Sequence, residues 1–463
     1  MTSSRPMACS SATQGGAALL LMLFVLAVAL VTWQVGRLQH REAVARDAIS
    51  ATSLALAHEA LVAYASSVSP DTAAKRPGDL PCPDLNNDGS AELTCITADK
   101  RIGRLPWRTL DLPDLRDGSN ERLWYALSGN FDRTTGNQCP IPGGTNCLNS
   151  DTPGTLTVRD TSGATIHDGS DASSAALAVI IAPGGPLQRV GEAGVQVRDC
   201  SADPDPPTCV ATGKCGATST ALCNPVNYLD RIAAPVLSIA SAPGEAEDNA
   251  TFSDGDSANG FVQGPIRDLG GAIRLNDRLR AVRSSDLINV LERRVAGHAL
   301  RCLLDYAAAS SERMPWATPT TSSYSGLSTD EDGIRFGRLP QELSATSGYP
   351  GMLAMWAPGC PVSMSAPEHL WWANWKDQVF FATATGFAPD SAAACGGCLA
   401  VDPPSALMDK RVAVLIAGKA LPGQLRGVGA DIPAYLESGN ADGDEVFTAA
   451  PPTATFNDIV TFE

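Results

Sequence analysis

The longest apolar stretch of the chain is Ala17 to Trp33, AALLLMLFVLAVALVTW, which contains no charge. Such a run predicts a membrane-spanning helix at the short end of the lengths that cross a bilayer. Arg5 lies before it and Arg37, His40 and Arg41 follow. A cleaved secretory signal has the same polar leader and apolar core. No A-x-A cleavage pattern follows the run, however, and no proline interrupts the chain until Pro70. From Arg37 to Ser66, Ala45, Ile49, Leu56, Ala60 and Ala63 recur at helical spacing, while Arg41, Glu42, Arg46, Asp47 and Glu59 fall on other faces. The span and this amphipathic segment read as one helix of roughly 75 Å, at about 1.5 Å per residue. Its lower half would lie in lipid and its upper half under a globular domain.

Beyond this helix the same order of features occurs twice. AHEALVAYASS (57–67) is matched by AGHALRCLLDYAAAS (296–310), and the tetrapeptide GRLP occurs at 103–106 and 337–340. ERLWYALS (121–128) is echoed by EHLWWANW (368–375), and AALAVIIAPGGPLQR (175–189) by RVAVLIAGKALPGQLR (411–426). YLD at Tyr228 parallels YLE at Tyr435, and LND at Leu275 parallels FND at Phe456. The order predicts two copies of a helix-then-sheet module, the second beginning near Ser284. Ser285 and Asp286 supply its start signal, and Leu287, Leu291, Val295, Ala299 and Cys302 its apolar face.

With 463 residues and an apolar fraction of 44%, the chain can bury real cores. Its 42 Gly, 33 Pro and low aromatic content favour short strands and turns over a helical bundle. A net charge of −16 argues against nucleic acid, whose phosphates require clustered cations. Thirteen Cys with only five His give no zinc pattern and point to an oxidising compartment. Cys9 precedes the apolar run. Pairing the other twelve with sequence neighbours gives Cys82–Cys95, Cys139–Cys147, Cys200–Cys209, Cys215–Cys223, Cys302–Cys360 and Cys395–Cys398, and the four between 200 and 223 also allow other pairings.

The first seventy residues resemble the type IV pilin and type II secretion pseudopilin superfamily. The matching features are a short polar leader ending in Gly15 and Gly16, the run AALLLMLFVLAVAL, and the long amphipathic helix. The resemblance implies that a prepilin peptidase cuts between Gly16 and Ala17 and that the helix packs among other pilin-like subunits. Most members carry a glutamate five residues into the mature chain; here that position is Leu21. A carboxylate in hydrocarbon is tolerated only when paired, and in the family its partner is the amino terminus of the next subunit up. Leu21 therefore implies a subunit with none above it, a minor pseudopilin at a fibre tip.

Five residues in Asp84–Glu92 suggest a cation loop: Asp84, Asn86, Asp88, Ser90 and Glu92 place oxygens at alternate positions, with Gly89 sixth. This is the first half of a calcium loop, although Cys95 stands where the twelfth-position carboxylate belongs. A solvated Asp/Asn/Gly turn accounts for the same residues. Weaker versions occur at Asp330–Gly333 and Asp442–Glu445. Cys395-Gly396-Gly397-Cys398 has the spacing of a thiol oxidoreductase but lies outside any evident βαβ unit, which favours a loop staple. Arg104 and Arg338 in the two GRLP copies read as buried or half-buried hydrogen-bonding residues rather than ligand contacts, Trp371, Trp372 and Trp375 as core packing ahead of an adhesive or sugar-binding patch, and His298 and His369 as core or surface. No G-x-S-x-G, H-E-x-x-H or P-loop pattern is present.

Together these features predict an α+β protein: a leader (1–16), a transmembrane helix (17–36) and two pilin-like modules (37–283 and 284–463). The expected role is a minor subunit, anchored in the inner membrane with its head in the periplasm, that initiates or caps a type IV pilus or type II secretion pseudopilus without catalysis. The expected partners are the membrane, other pilin-like subunits and prepilin peptidase, with Ca2+ as the one candidate cofactor. A stand-alone anchored binding protein or adhesin, and a periplasmic hydrolase, are the rival readings.

Overall fold

The computed structural model describes residues 14–67, 76–132, 147–171, 173–188, 195–196, 198, 225, 228–233, 246–250, 260–268, 271–320, 328–363, 369–403, 405–427 and 429–463. Helix α1, Gln14–Ser67, is unbroken through Thr32–Glu42 and starts before Gly16, so residues 14–16 of the expected leader form its first turn. Continuity follows from a run of Ala, Leu, Arg and Glu without proline. The helix ends where the Ser66 and Ser67 hydroxyls donate back to the carbonyls of Ala63 and Tyr64. Helix α2, Ser284–Ala309, begins where the Asp286 carboxylate accepts the Arg283 amide. A short helix α3 covers His369–Trp375.

The protein is mixed α+β. Four strands, β1 (Ile102–Arg104), β2 (Trp124–Leu127), β3 (Ala178–Ala182) and β4 (Arg278–Val282), form an antiparallel sheet in that order. Four more, β5 (Phe336–Arg338), β6 (Val379–Thr383), β7 (Val412–Ile416) and β8 (Ile459–Phe462), do the same. The third strand of each sheet, AVIIA and VAVLI, is buried throughout because both of its faces are covered. A helix covers one face: Leu54, Ala57, Leu61 and Ala65 of α1 share a core with Tyr125, Leu127 and Ile180, and Leu287, Leu291 and Val295 of α2 join the same core with Phe381 and Val414. The opposite face packs under a small three-stranded sheet. In the first unit this sheet is 165–167, 158–159 and 261–262; in the second it is 405–410, 399–402 and 446–448. In both, the middle strand pairs antiparallel with one neighbour and parallel with the other.

The two helices lie side by side and run in the same direction. His58 Nε2 is 3.1 Å from Asp286 Oδ2, and eight residues further along both helices Arg294 donates to the Ser66 carbonyl. Helix α2 therefore extends about 20 Å beyond the end of α1. The second unit is carried on the far side of the first from the apolar end of α1.

Three sequence expectations change. Of the stripe Ala45, Ile49, Leu56, Ala60, Ala63, only Ala60 packs against the core. Ile49 and Leu56 are 52% and 43% exposed, and the buried positions are Ser50, Ser53, Leu54, Ala57, Leu61 and Ala65. Small residues let the backbone approach: the Ser53 hydroxyl donates to the Arg116 carbonyl, and the Gly118 amide donates to the Ser50 hydroxyl. Next, ERLWYALS and EHLWWANW are not equivalent, because WYAL is strand β2 whereas HLWWANW is helix α3. The counterpart of β2 is β6: Arg104 is registered opposite Trp124, and Arg338 opposite Phe380. Finally, the partners of Gln424 and Arg426 are Gln196 and Arg198, not Gln188 and Arg189. A loop closed by the Gln188–Val195 bridge is inserted first, after which the Gln196 side chain accepts the Leu187 amide as Gln424 accepts that of Leu421.

Candidate assembly helix and loop sites

The lower part of α1 is the largest uncovered surface. All large apolar side chains from Leu19 to Val35 are 45–69% exposed, Leu21 among them, and no part of the most apolar window is buried. Withdrawing each from water is worth roughly 1.5–3 kcal/mol, on the order of 20 kcal/mol or more for the run, so lipid or other helices must cover it. By length and composition it can cross a membrane. Its one hydroxyl, on Thr32, donates to the Ala29 carbonyl, which lowers its cost in hydrocarbon, and the polar Trp33 and Gln34 side chains stand at the upper end of the run. Above the span, Leu38, Ala45, Ile49, Leu56 and Ala63 continue an exposed apolar stripe up the side of α1 turned away from the sheet. Gly16 and Ala17, the expected processing site, lie in the first turn of the helix.

The loop at Asp84 satisfies itself. Asp84 is 1% exposed, and its carboxylate accepts the amides of Asn86 at 3.1 Å and Gly89 at 2.7 Å. The Asn86 oxygen accepts the Asp88 amide, and Asp88 accepts that of Ser90. Burial pushes the Asp84 carboxyl up to about 6 and raises Glu92 as well. Gly89 has φ +86°, and a Cβ there would meet the Trp107 ring, so the turn requires glycine. Among the described residues no three His, Cys, Asp or Glu side chains are grouped so that they could hold a metal ion. The oxygens at Asp84, Asn86 and Asp88 are instead directed at the loop's own amides. At Asp330 both carboxylate oxygens likewise accept amides, from Ala345 and Thr346, and Glu445 pairs with Arg335.

Cys82 is bonded to Cys95, Cys302 to Cys360, and Cys395 to Cys398. Cys147 is also disulfide-bonded; Cys139, Cys200, Cys209, Cys215 and Cys223 lie outside the described residues. The Cys395–Cys398 bridge closes a turn that leads into strand 399–402 rather than starting a helix, the geometry of a loop staple. Trp372 and Trp375 are fully buried.

Each unit contains the same buried cage. The Arg104 guanidinium lies 4.3 Å from the Trp124 ring centre and 4.2 Å from that of Tyr228, and it donates to the Arg122 carbonyl. Arg338 is 4.7 Å from Tyr435 and 5.6 Å from Phe380, and it donates to the carbonyls of Asp377 and Thr320. A second arginine, Arg198 or Arg426, lies over the same tyrosine and donates to that tyrosine's carbonyl. Next to each cage is an acid pair. Asp277 accepts the Asp230 amide and the Asn249 side chain; Asp458 accepts the Glu437 amide and the Asn440 side chain. Burial, then the neighbouring carboxylate Asp230, raises Asp277 far above the usual range; burial above all pushes Asp458 up to about 8. The repeated YLD/YLE and LND/FND motifs contain all four acids, but adjacency in the sequence does not reveal that the members of a pair touch. Asn249 and Asn440 share only an Asn-Ala dipeptide as a signal.

The units meet through polar contacts that the sequence did not indicate. Asp151 accepts from Arg426, from the Gln378 side chain and from the Ala420 amide, each at about 2.8 Å. Nearby, burial pushes the Glu292 carboxyl of α2 up to about 7. These groups grip one another; none forms a nucleophile–base pair facing a cleft. Compared with protein families, with curated proteins and with solved structures, the chain finds no match.

Proposed function

We propose that this chain is a pilin-like minor subunit, anchored by α1 in the inner membrane, that initiates or caps a type IV pilus or type II secretion pseudopilus. Its helix-on-sheet units are two tandem pilin-type heads stacked outward along the direction of α1. The observation that carries this reading is the uncovered apolar surface of α1, which runs from Leu19 past the end of the span through Leu38, Ile49 and Leu56. A simple tether needs apolar residues only within lipid. A stripe that continues well above the membrane suits packing against neighbouring helices at heptad-like spacing. The mechanism is assembly: helix packing joins the fibre, and the heads present a surface at its end.

Two effects bear on orientation. Arg37, Arg41 and Arg46 follow the span against Arg5 alone before it, a bias that by itself would keep the following residues in the cytoplasm. Three disulfides among the described residues outweigh it, since a reducing cytosol opens such bonds. They support a periplasmic location for the heads.

Mass spectrometry of the mature amino terminus tests the proposal. The expected result is a chain starting at methylated Ala17. A chain starting at Met1, or one cut after Trp33, defeats it. Cross-linking from cysteines placed at Ile49 and Leu56 should capture other pilin-like subunits; a processed chain that captures none is a stand-alone anchored binding protein.

A further inference from the structure

The three bridges whose two ends are both described differ in what surrounds their sulfurs. Cys82 and Cys95 are 2% and 0% exposed, and Cys302 and Cys360 are 4% each, all four within the main core. In the third bridge only Cys398 is enclosed, at 2%, in the core cluster that holds Leu399, Val401 and Phe447. Cys395 is exposed, and so is Gly396 beside it. A Cβ at Gly396 would meet no atom within 4 Å, and one at Gly397 would meet only Thr385, at 3.7 Å. The glycine pair therefore adds no side chain that could shield the Cys395 sulfur, and no neighbour closes over it. Ring size acts in the same direction. The partners are separated by 3 residues, against 13 and 58 in the other two bridges. A bridge that closes so short a loop constrains the unfolded chain least, and the folded state loses least when it opens.

The loop is also held without its bridge. The Ala394 amide donates to the Gly386 carbonyl at 3.0 Å, the Ser391 hydroxyl bonds to the carbonyls of Gly386 and Ala388, and strand 399–402 is paired on both sides. A reduced Cys398 would stay in its apolar surroundings as a small hydrophobic residue. Just past the end of α2, Arg313 donates to the Pro389 carbonyl and the Met314 amide to that of Phe387. The loop therefore stands at the end of the second unit farthest from the apolar base of α1. We infer that Cys395–Cys398 is a thiol–disulfide exchange site, which dithiols open and close while Cys82–Cys95 and Cys302–Cys360 stay shut. A thiolate of the dithiol attacks the Cys395 sulfur, the S–S bond breaks, and its electron pair leaves on Cys398, which takes up a proton. The second thiol of the dithiol then attacks the mixed disulfide and releases Cys395 as a thiol. Two electrons and two protons pass to the protein, and the dithiol is left as a disulfide.

The full chain in detergent, with its free thiols blocked, tests this by timed exposure to dithiothreitol, alkylation of the thiols released and mass spectrometry of the peptides. Cys395 and Cys398 should be alkylated at least about tenfold faster than Cys82, Cys95, Cys302 and Cys360, since access limits the attack. The protein should still unfold cooperatively on heating once this bridge alone is open, and oxidised dithiothreitol should close it again. Two variants read the direction of attack. Cys398→Ser should take up glutathione from its disulfide on Cys395, whereas Cys395→Ser should leave the enclosed Cys398 unmodified. Release of all three bridges at one rate overturns the inference. So does a Cys395–Cys398 bond that opens only as the protein unfolds, which would make it a structural staple. Glutathione on Cys398 and none on Cys395 overturns it as well.

Discussion

The upper half of α1 and the whole of α2 cover sheets of identical strand order, but with opposite economy. Helix α2 buries large residues, Leu287, Leu291, Val295, Leu303 and Tyr306, and is tied by Cys302–Cys360. It is also enclosed on a second side by α1. Helix α1 buries two leucines, Leu54 and Leu61, among small residues, Ser50, Ser53, Ala57 and Ala65, and leaves Ile49 and Leu56 to solvent. A helix that completes a core places its largest apolar residues inward. One that also turns large apolar residues outward has a second surface still to bury, which supports the proposal that α1 is the assembling helix.

The sharpest way to break this comparison is to truncate both helices. Leu291→Ala, at a position with no exposure, should destabilise by about 2–5 kcal/mol, while Ile49→Ala should change stability by less than about 0.5 kcal/mol. Denaturant unfolding of the full chain in detergent reads both, and equal losses would remove the distinction. The two cages should respond alike. Arg104→Met and Arg338→Met each remove a guanidinium packed on two rings and its bonds to backbone carbonyls, an expected loss of about 1–3 kcal/mol. Lysine should not rescue either, because it lacks the flat face that stacks on the rings. A large loss in only one unit would mean that the cages do different work.

The acid pairs give a smaller, pH-dependent effect. The folded-state values of Asp458, Asp277 and Glu292 lie above those of an unfolded chain, so the folded protein binds more protons above about pH 4. Stability is therefore greatest in mild acid and declines as pH rises through about 7–8. The melting temperature should fall between pH 6 and 9, and Asp277→Asn with Asp458→Asn should flatten that fall. Since Asn can accept the same two hydrogen bonds, a variant with an unchanged slope would show that the titrating groups lie elsewhere. The smallest effect is expected at Asp84, whose loop is held by its own amides. Calcium or a chelator should leave melting unchanged, and a calcium-dependent rise abolished by Asp84→Asn would place a cation there.

The apolar run from Ala17 determined a segment long and apolar enough to cross a membrane, and the absence of proline to Pro70 determined its continuation as one helix, because helix formation and transfer from water are local properties of a segment. The apolar face of α2 was also legible, since Leu287 to Cys302 keep a 3.6-residue period. Which side of α1 is buried was not legible. The stripe at Ile49 and Leu56 is amphipathic, but only the fold shows that Ser50, Ser53 and Gly118 bring the first sheet against the other side. Likewise, nearly identical words became a strand at Trp124 and a helix at Trp372, because neighbouring strands were available to pair with one and not with the other. Sequence set the local periods and the greasy base. The contacts between distant residues, Asp277 beside Asp230 and Asp151 beneath Arg426, were decided by tertiary packing, since a carboxylate's partner is chosen by whatever the fold brings within 3 Å.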